Sequence, residues 1–426
     1  MSDQAYTLWN RRVPLRYEAD IAIFGGGMAG VSAALAAARS GSKVILVERF
    51  AVTGGNATVG GVGEFCGETA GQGEVFDEII SELERFGAVN PYVPYPKATL
   101  RYYNHEYLAV ILQEMLLRRG VKLLLHTQFI DVSVSDDGRI KECIVSGKSG
   151  PEALRAKQFI DCTGEAQVAH MADFATMKGR PSDGLQLPMS LMFYIRHVPE
   201  ENQKCEIPEG WLEPIRDKDS MPMTSKSHAG INSNGLKVKI PMFDATDTES
   251  ATAAEIAARR RMVQVLDYYQ RVEKRPWVLD HCSQQIGIRE GRRIVGDYIL
   301  HVDDLRAGRK FDDAVARGTY YLDAHKPDDD QKTYILDRSE LRVPPYQIPL
   351  RTLLAKDGIN LATAGRSLSA DQLALSSARV LTSTSMMGQA VGILAALSVE
   401  KNCDLRDVDP LEVQRIVIER GANLEV

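Results

Sequence analysis

The stretch DIAIFGGGMAGVSAALAAARSGSKVILVER, Asp20 to Arg49, decides the fold. Asp20 to Phe24 is a short apolar run with β-branched members, the pattern of a buried parallel strand. Three glycines follow, and Met28 to Arg39 is alanine-rich with high helix propensity. Gly41 stops that helix, and Lys43 to Val47 reads as a second buried strand ending at Glu48. The pattern predicts a strand, a tight turn, a helix and a second strand in succession.

Gly25, Gly27 and Gly30 stand at G-x-G-x-x-G spacing. The first permits the tight turn. The second lets backbone approach a pyrophosphate, and the third lets the helix pack close to the sheet. The helix N-terminus offers unpaired N–H groups and partial positive charge to the phosphates. Glu48 stands where a carboxylate accepts hydrogen bonds from a ribose diol, which disfavours a 2′-phosphate and hence NADP. NAD and the ADP half of FAD both remain.

At 426 residues the chain exceeds one small core, and two domains are expected. A net charge of -6 leaves no basic footprint, so nucleic acid is not an expected partner. The opening residues MSDQAYTLWNRR lack the apolar core of a signal peptide, and Ile21 to Ala38 is too rich in glycine and alanine for a membrane span. A soluble, cytoplasmic protein with no membrane partner is expected; a homo-oligomer is left open. Six cysteines are scattered without C-x-x-C or a His/Cys cluster, so no disulfide framework and no metal site is expected. Cys66 lies in a second glycine-rich loop, where eight glycines fall between Gly54 and Gly73, and reads as a buried thiol.

Further on, KQFIDCTGEAQVAHMAD is a second strand, turn and helix ending near Asp173, with a turn at Thr163-Gly164. From about Ala172 to Pro345 the character changes, with most of the prolines and a long charged helix. NLATAGRSLSADQLALSSARVLTSTSMMGQAVGILAAL then returns to a strand, a turn at Gly365-Arg366, and a helix expected to begin near Met386. The expected architecture is α/β: a Rossmann-type FAD-binding domain in residues 1–171 and 346–426, with an inserted α+β substrate domain in 172–345.

GGGMAGVSAALAAA, TGGNATVGG, IDCTGEAQVA, DATDTESATAAEIAARRR, IGIREGRRIVGDYIL, YQIPLRTLL and the C-terminal stretch together resemble the FAD-dependent oxidoreductase family of the glutathione-reductase-like flavoproteins. The resemblance implies FAD as cofactor. It implies Gly25, Gly27 and Gly30 at the pyrophosphate, Glu48 at the adenosine ribose, and Gly54, Gly55 and Asn56 along pyrophosphate and flavin. It places the strand around Phe129 and the turn at Gly164 near adenine, and Gly365 and Arg366 near the ribityl phosphate. The helix start near Gly388 and Gln389 would point at the flavin pyrimidine.

No second G-x-G-x-x-G follows a strand, so electrons must leave to an unidentified acceptor. Hydride removal from a hydroxyl- or amine-bearing carbon needs a base, and His325, His105 and His281 are candidates. Arg289, Arg292 and Arg293 of GIREGRR could clamp an anion or pair with Glu290 and Asp297; Tyr346 and Arg351 carry a similar balance. The expected function is FAD-dependent oxidation of a small polar metabolite. A flavin-dependent dehydratase or isomerase, and a flavin-binding protein without turnover, are the alternatives.

Overall fold

The computed structural model describes residues 12–199, 207–227, 234–331 and 334–426; residues 1–11 and Cys205 lie outside them. Strand Leu15–Phe24 pairs in parallel with Val44–Val47 on one side and Gly150–Asp161 on the other. Val44–Val47 pairs in parallel with Lys122–Leu124, and the antiparallel strands Ile140–Gly147 and Gln128–Val134 extend the opposite edge. Ile21, Ala22, Ile23 and Val44 to Val47 are all buried, as a parallel strand covered on both faces requires.

Leu361–Thr363 pairs in parallel with Phe159–Asp161, so the chain returns to the first sheet after everything between. That return places a turn at Gly365 beside the opening turn at Gly25 to Gly27. Helix Met28–Arg39 packs along helix Leu381–Lys401 at backbone contact distance. A Cβ on Gly388 would lie 2.1 Å from the Ala29 carbonyl oxygen, so only glycine admits this approach. Leu381–Lys401 is long and apolar enough to cross a membrane, yet it is almost wholly buried as the central helix of the larger core.

A smaller antiparallel sheet runs Thr224–Ser227, Asn234–Ile240, Met189–His197, Trp277–Cys282. Helix Thr248–Arg271, capped by the Asp247 carboxylate accepting from Ser250 N–H at 2.8 Å, buries Ala254, Ala258, Met262 and Val265 against it. This second core spans Met189 to Ile288. Leu300 to Leu322 pack instead into the larger core, so the expected boundary at residue 345 is displaced: the chain rejoins the first unit by Leu300. The apolar run Ala314 to Ala316 pairs with the strand Tyr346–Pro349, and that pairing draws the segment across.

Candidate functional site

One deep cleft runs along the C-terminal ends of the parallel strands. Gly25, Gly27, Glu48, Gly54, Gly55 and Asn56 line it, joined by Phe129, Gly164, Gly365 and Arg366. Two helices point their N-termini into it. Met28–Arg39 starts at Gly27 with no side-chain cap and no acid in its first turn. Leu381–Lys401 starts at Val380 with the same two features, and Leu381 and Thr384 line the cleft. Both ends therefore aim orphan N–H groups and partial positive charge at one cavity.

Glu48 is buried, and its carboxylate accepts from the Gly26 N–H at 2.6 Å and the Phe50 N–H at 2.9 Å. Burial raises its pKa, and those amides oppose the rise. Asn56 donates through Nδ2 to the Ile288 carbonyl at 2.9 Å, tying the second glycine loop to the smaller unit. Arg366 donates to the Ile288 carbonyl at 2.9 Å and the Gly164 carbonyl at 3.3 Å, with Glu165 3.6 Å away. Burial pulls its pKa down to about 10. Phe129 packs edge-on against Phe24, with ring centroids 5.1 Å apart.

Three expected contacts are corrected; the first is Gly30, which lies outside the cleft lining and serves the close packing of its helix on Gly25 and Cys162. The long C-terminal helix Leu381–Lys401 begins at Leu381 rather than near Met386, so Gly388 and Gln389 sit inside it and outside the cleft lining. Gly388 serves the packing against Ala29. Gln389 accepts from the Val75 N–H at 3.2 Å. The residues at the helix mouth are Arg379, Leu381 and Thr384; the uncapped, acid-free VLTST start was their sequence signal.

Of the candidate histidines, His105 and His281 both stack on the Tyr194 ring, at 5.3 Å and 4.3 Å, and lie 6.0 Å from each other, away from the cleft lining. His325 is buried, with Nε2 2.9 Å from Asp323 Oδ1. The carboxylate accepts the Nε2 proton, which leaves the lone pair on Nδ1, a buried atom with no partner. Burial and the Arg289 charge lower the imidazole pKa to about 4. Burial alone would raise Asp323, but His325, Arg379 and Arg289 outweigh it and hold the carboxyl well below its ordinary range. Arg379 donates to Asp323 Oδ2 at 2.9 Å and also lines the cleft, so His325 stands two contacts behind the cleft wall.

The GIREGRR arginines separate. Arg293 is neutralised by Glu290 at 2.7 Å, Arg292 donates to the Thr246 carbonyl at 3.3 Å, and Arg289 lies 3.8 Å from Asp323. Asp297 pairs with Arg406 instead. Tyr346 meets Ser377, and Arg351 pairs with Asp313, both outside the cleft lining. Burial pushes the Cys66 thiol up to about 12, which keeps it protonated.

A family model described as FAD dependent oxidoreductase matches residues 20–417. The chain belongs to that family. This oxidoreductase uses FAD, and a search of curated proteins gives no match. A geranylgeranyl bacteriochlorophyll reductase-like protein from Thermoplasma acidophilum is similar over 95% of this chain and 84% of its own, with TM-score 0.51 and 10% identity. CabE, an aromatic hydroxylase from angucycline biosynthesis, is similar over 94% and 68%, with TM-score 0.50 and 15% identity. OxyS anhydrotetracycline hydroxylase from Streptomyces rimosus shares 14% identity over 95% of this chain and 66% of its own, with TM-score 0.49. At these identities the first two likenesses are of fold.

The cleft fits the cofactor. A Cβ on Gly27 would meet nothing within 4 Å, so the strip of backbone at the first helix mouth faces open space. Two uncapped helix ends, a fixed ribose acceptor and this bare backbone match an anionic dinucleotide. Glu48→Ala is expected to weaken FAD binding about tenfold to hundredfold, the worth of a charge-assisted hydrogen bond, as read by equilibrium titration of apoprotein.

Proposed function

We propose that this oxidoreductase removes a hydride from a hydroxyl- or amine-bearing carbon of a small polar metabolite and passes the electrons to a separate acceptor. Gly25 and Gly27 form the pyrophosphate turn, with Gly30 letting its helix pack against it; Glu48 takes the adenosine ribose, and Phe129 and Gly164 flank the adenine end. Gly54, Gly55, Asn56, Gly365 and Arg366 run along the middle of the cofactor. The Leu381 helix mouth faces its flavin end. Bound FAD supplies the two-electron chemistry.

The observation that carries the reading is the Asp323–His325 pair, with Asp323 in direct contact with the cleft-lining Arg379 and His325 behind it. Asp323 fixes the imidazole tautomer by accepting from Nε2, and the dry, positive surroundings keep Nδ1 unprotonated. Such a group accepts a proton as a C–H bond bearing a hydroxyl or amine is oxidised. Soluble, cytoplasmic operation without nucleic acid or membrane belongs to the same reading.

The test is anaerobic addition of hydroxy and amino compounds to the yellow holoenzyme, reading the visible flavin absorbance. Bleaching by one compound sustains hydride removal. Turnover with no acceptor and no bleaching assigns the non-redox alternative instead.

A further inference from the structure

Among the described residues, the basic groups around Asp323 are not matched in number by acids. Arg289 and Arg379 both turn to that single carboxylate, Arg379 at 2.9 Å and Arg289 at 3.8 Å. Arg289 is otherwise held by neutral oxygens, donating to the Pro188 carbonyl at 2.9 Å and Ser190 Oγ at 2.6 Å. The Nε of Arg379 is buried with no hydrogen-bond partner. By contrast, the buried guanidiniums of Arg293 and Arg366 each face an acid of their own, Glu290 and Glu165.

The surplus positive charge is felt by its neighbours. Burial and then the Arg289 charge depress both Lys239, to about 8, and His325. Taking an unmatched guanidinium out of water is costly unless an anion completes the pair. The cluster is not sealed: Asp323 keeps 18% of its side-chain surface accessible and Arg379 keeps 13%. The Tyr321 and Tyr334 hydroxyls, 3.4 Å apart, act on Arg289 and add donors to the same place.

We propose that the substrate is an organic acid whose carboxylate binds Arg289 and Arg379 beside Asp323, which sets its oxidisable carbon between the His325 side and the flavin end of the cleft. This rests on the hydride-removal reading above and narrows it to hydroxy or amino acids. Arg289 comes from the segment following the smaller sheet and Arg379 from the turn before helix Leu381–Lys401, so the clamp closes across the two units. Planar guanidiniums suit this role because they take carboxylates in fixed fork geometry.

The test uses holoenzyme and redox-inert probes, so that binding is read apart from turnover. Methoxyacetate and its neutral amide are titrated while the visible flavin spectrum is followed. Saturable perturbation by the acid, absent with the amide and weakened about tenfold or more in Arg289→Met, is the expected result. Arg289→Lys should restore part of the affinity, and FAD content shows that each variant is folded. Where Arg289→Met does not fold, the acid–amide difference in the parent protein decides.

Equal perturbation by acid and amide, or none by either, overturns the proposal. So does an Arg289→Met variant that shifts the flavin reduction potential while leaving acid binding unchanged, since the arginines would then serve the cofactor's own anionic form. Bleaching by a neutral polyol alone would sink the carboxylate clamp and leave hydride removal standing. Acid binding without any bleaching would do the reverse.

Discussion

Gly30→Ala is expected to yield colourless, destabilised protein. The added Cβ would lie 1.9 Å from the Gly25 carbonyl oxygen and 3.2 Å from Cys162 Cβ. Neither neighbour is a movable side-chain tip. Gly25 is pinned by its N–H donating to the Val47 carbonyl at 2.8 Å, and its φ of 94° already excludes other residues. The helix must therefore lift from the sheet, at a cost of about 1–3 kcal/mol or more. Gly27→Ala is the matched control, because its Cβ meets no protein atom. That variant should melt like the parent as apoprotein and still lose FAD affinity, since the methyl stands where the pyrophosphate passes. Thermal melts and flavin content read the two effects separately. Equal melting of all three apoproteins would refute the assignment of Gly30 to packing.

His325→Gln should retain FAD and lose about 10²–10⁴-fold in the rate of flavin reduction by substrate, the usual worth of a positioned base. Glutamine keeps a donor for Asp323, so folding is spared. The pH dependence gives an independent check. With the folded pKa lowered from 6.5 to about 4, His325 stays neutral and competent well below pH 6. The rate of reduction should fall as pH drops through about 4, and the variant should lose that limb. A decline centred near 6.5 would show that another group sets the limb. The stability linkage has the same sign: the unfolded chain takes up a proton near 6.5 and the folded chain only near 4. The contribution of His325 is therefore whole above 6.5 and lost as pH falls toward 4.

Within the candidate site, legibility tracked how local each signal is. The opening turn was readable because sterics and apolar pattern act within one short stretch, and Gly25, Gly27 and Glu48 stand together in the cleft. The start of helix Leu381–Lys401 was not. Val380, Leu381, Thr382 and Thr384 include β-branched residues of modest helix propensity, so sequence favoured a start at Met386. Packing of Gly388 against Ala29 holds the earlier turn in the helix. The three histidines were indistinguishable as letters. Burial and a carboxylate at 2.9 Å separate His325 from the stacked His105 and His281.

By itself the sequence determined a parallel α/β sheet, an acid-tipped second strand and a glycine turn shaped for a dinucleotide. Those follow from side-chain period, backbone sterics and the lack of a Cβ, all properties of neighbouring residues. Only the tertiary structure decided that residues 300–322 belong to the larger core, that the long helix ending at Lys401 opens at Leu381, and that Arg289, Asp323 and Arg379 meet. Each of those depends on contacts between distant segments, where burial and charge balance take effect only once the chain has closed.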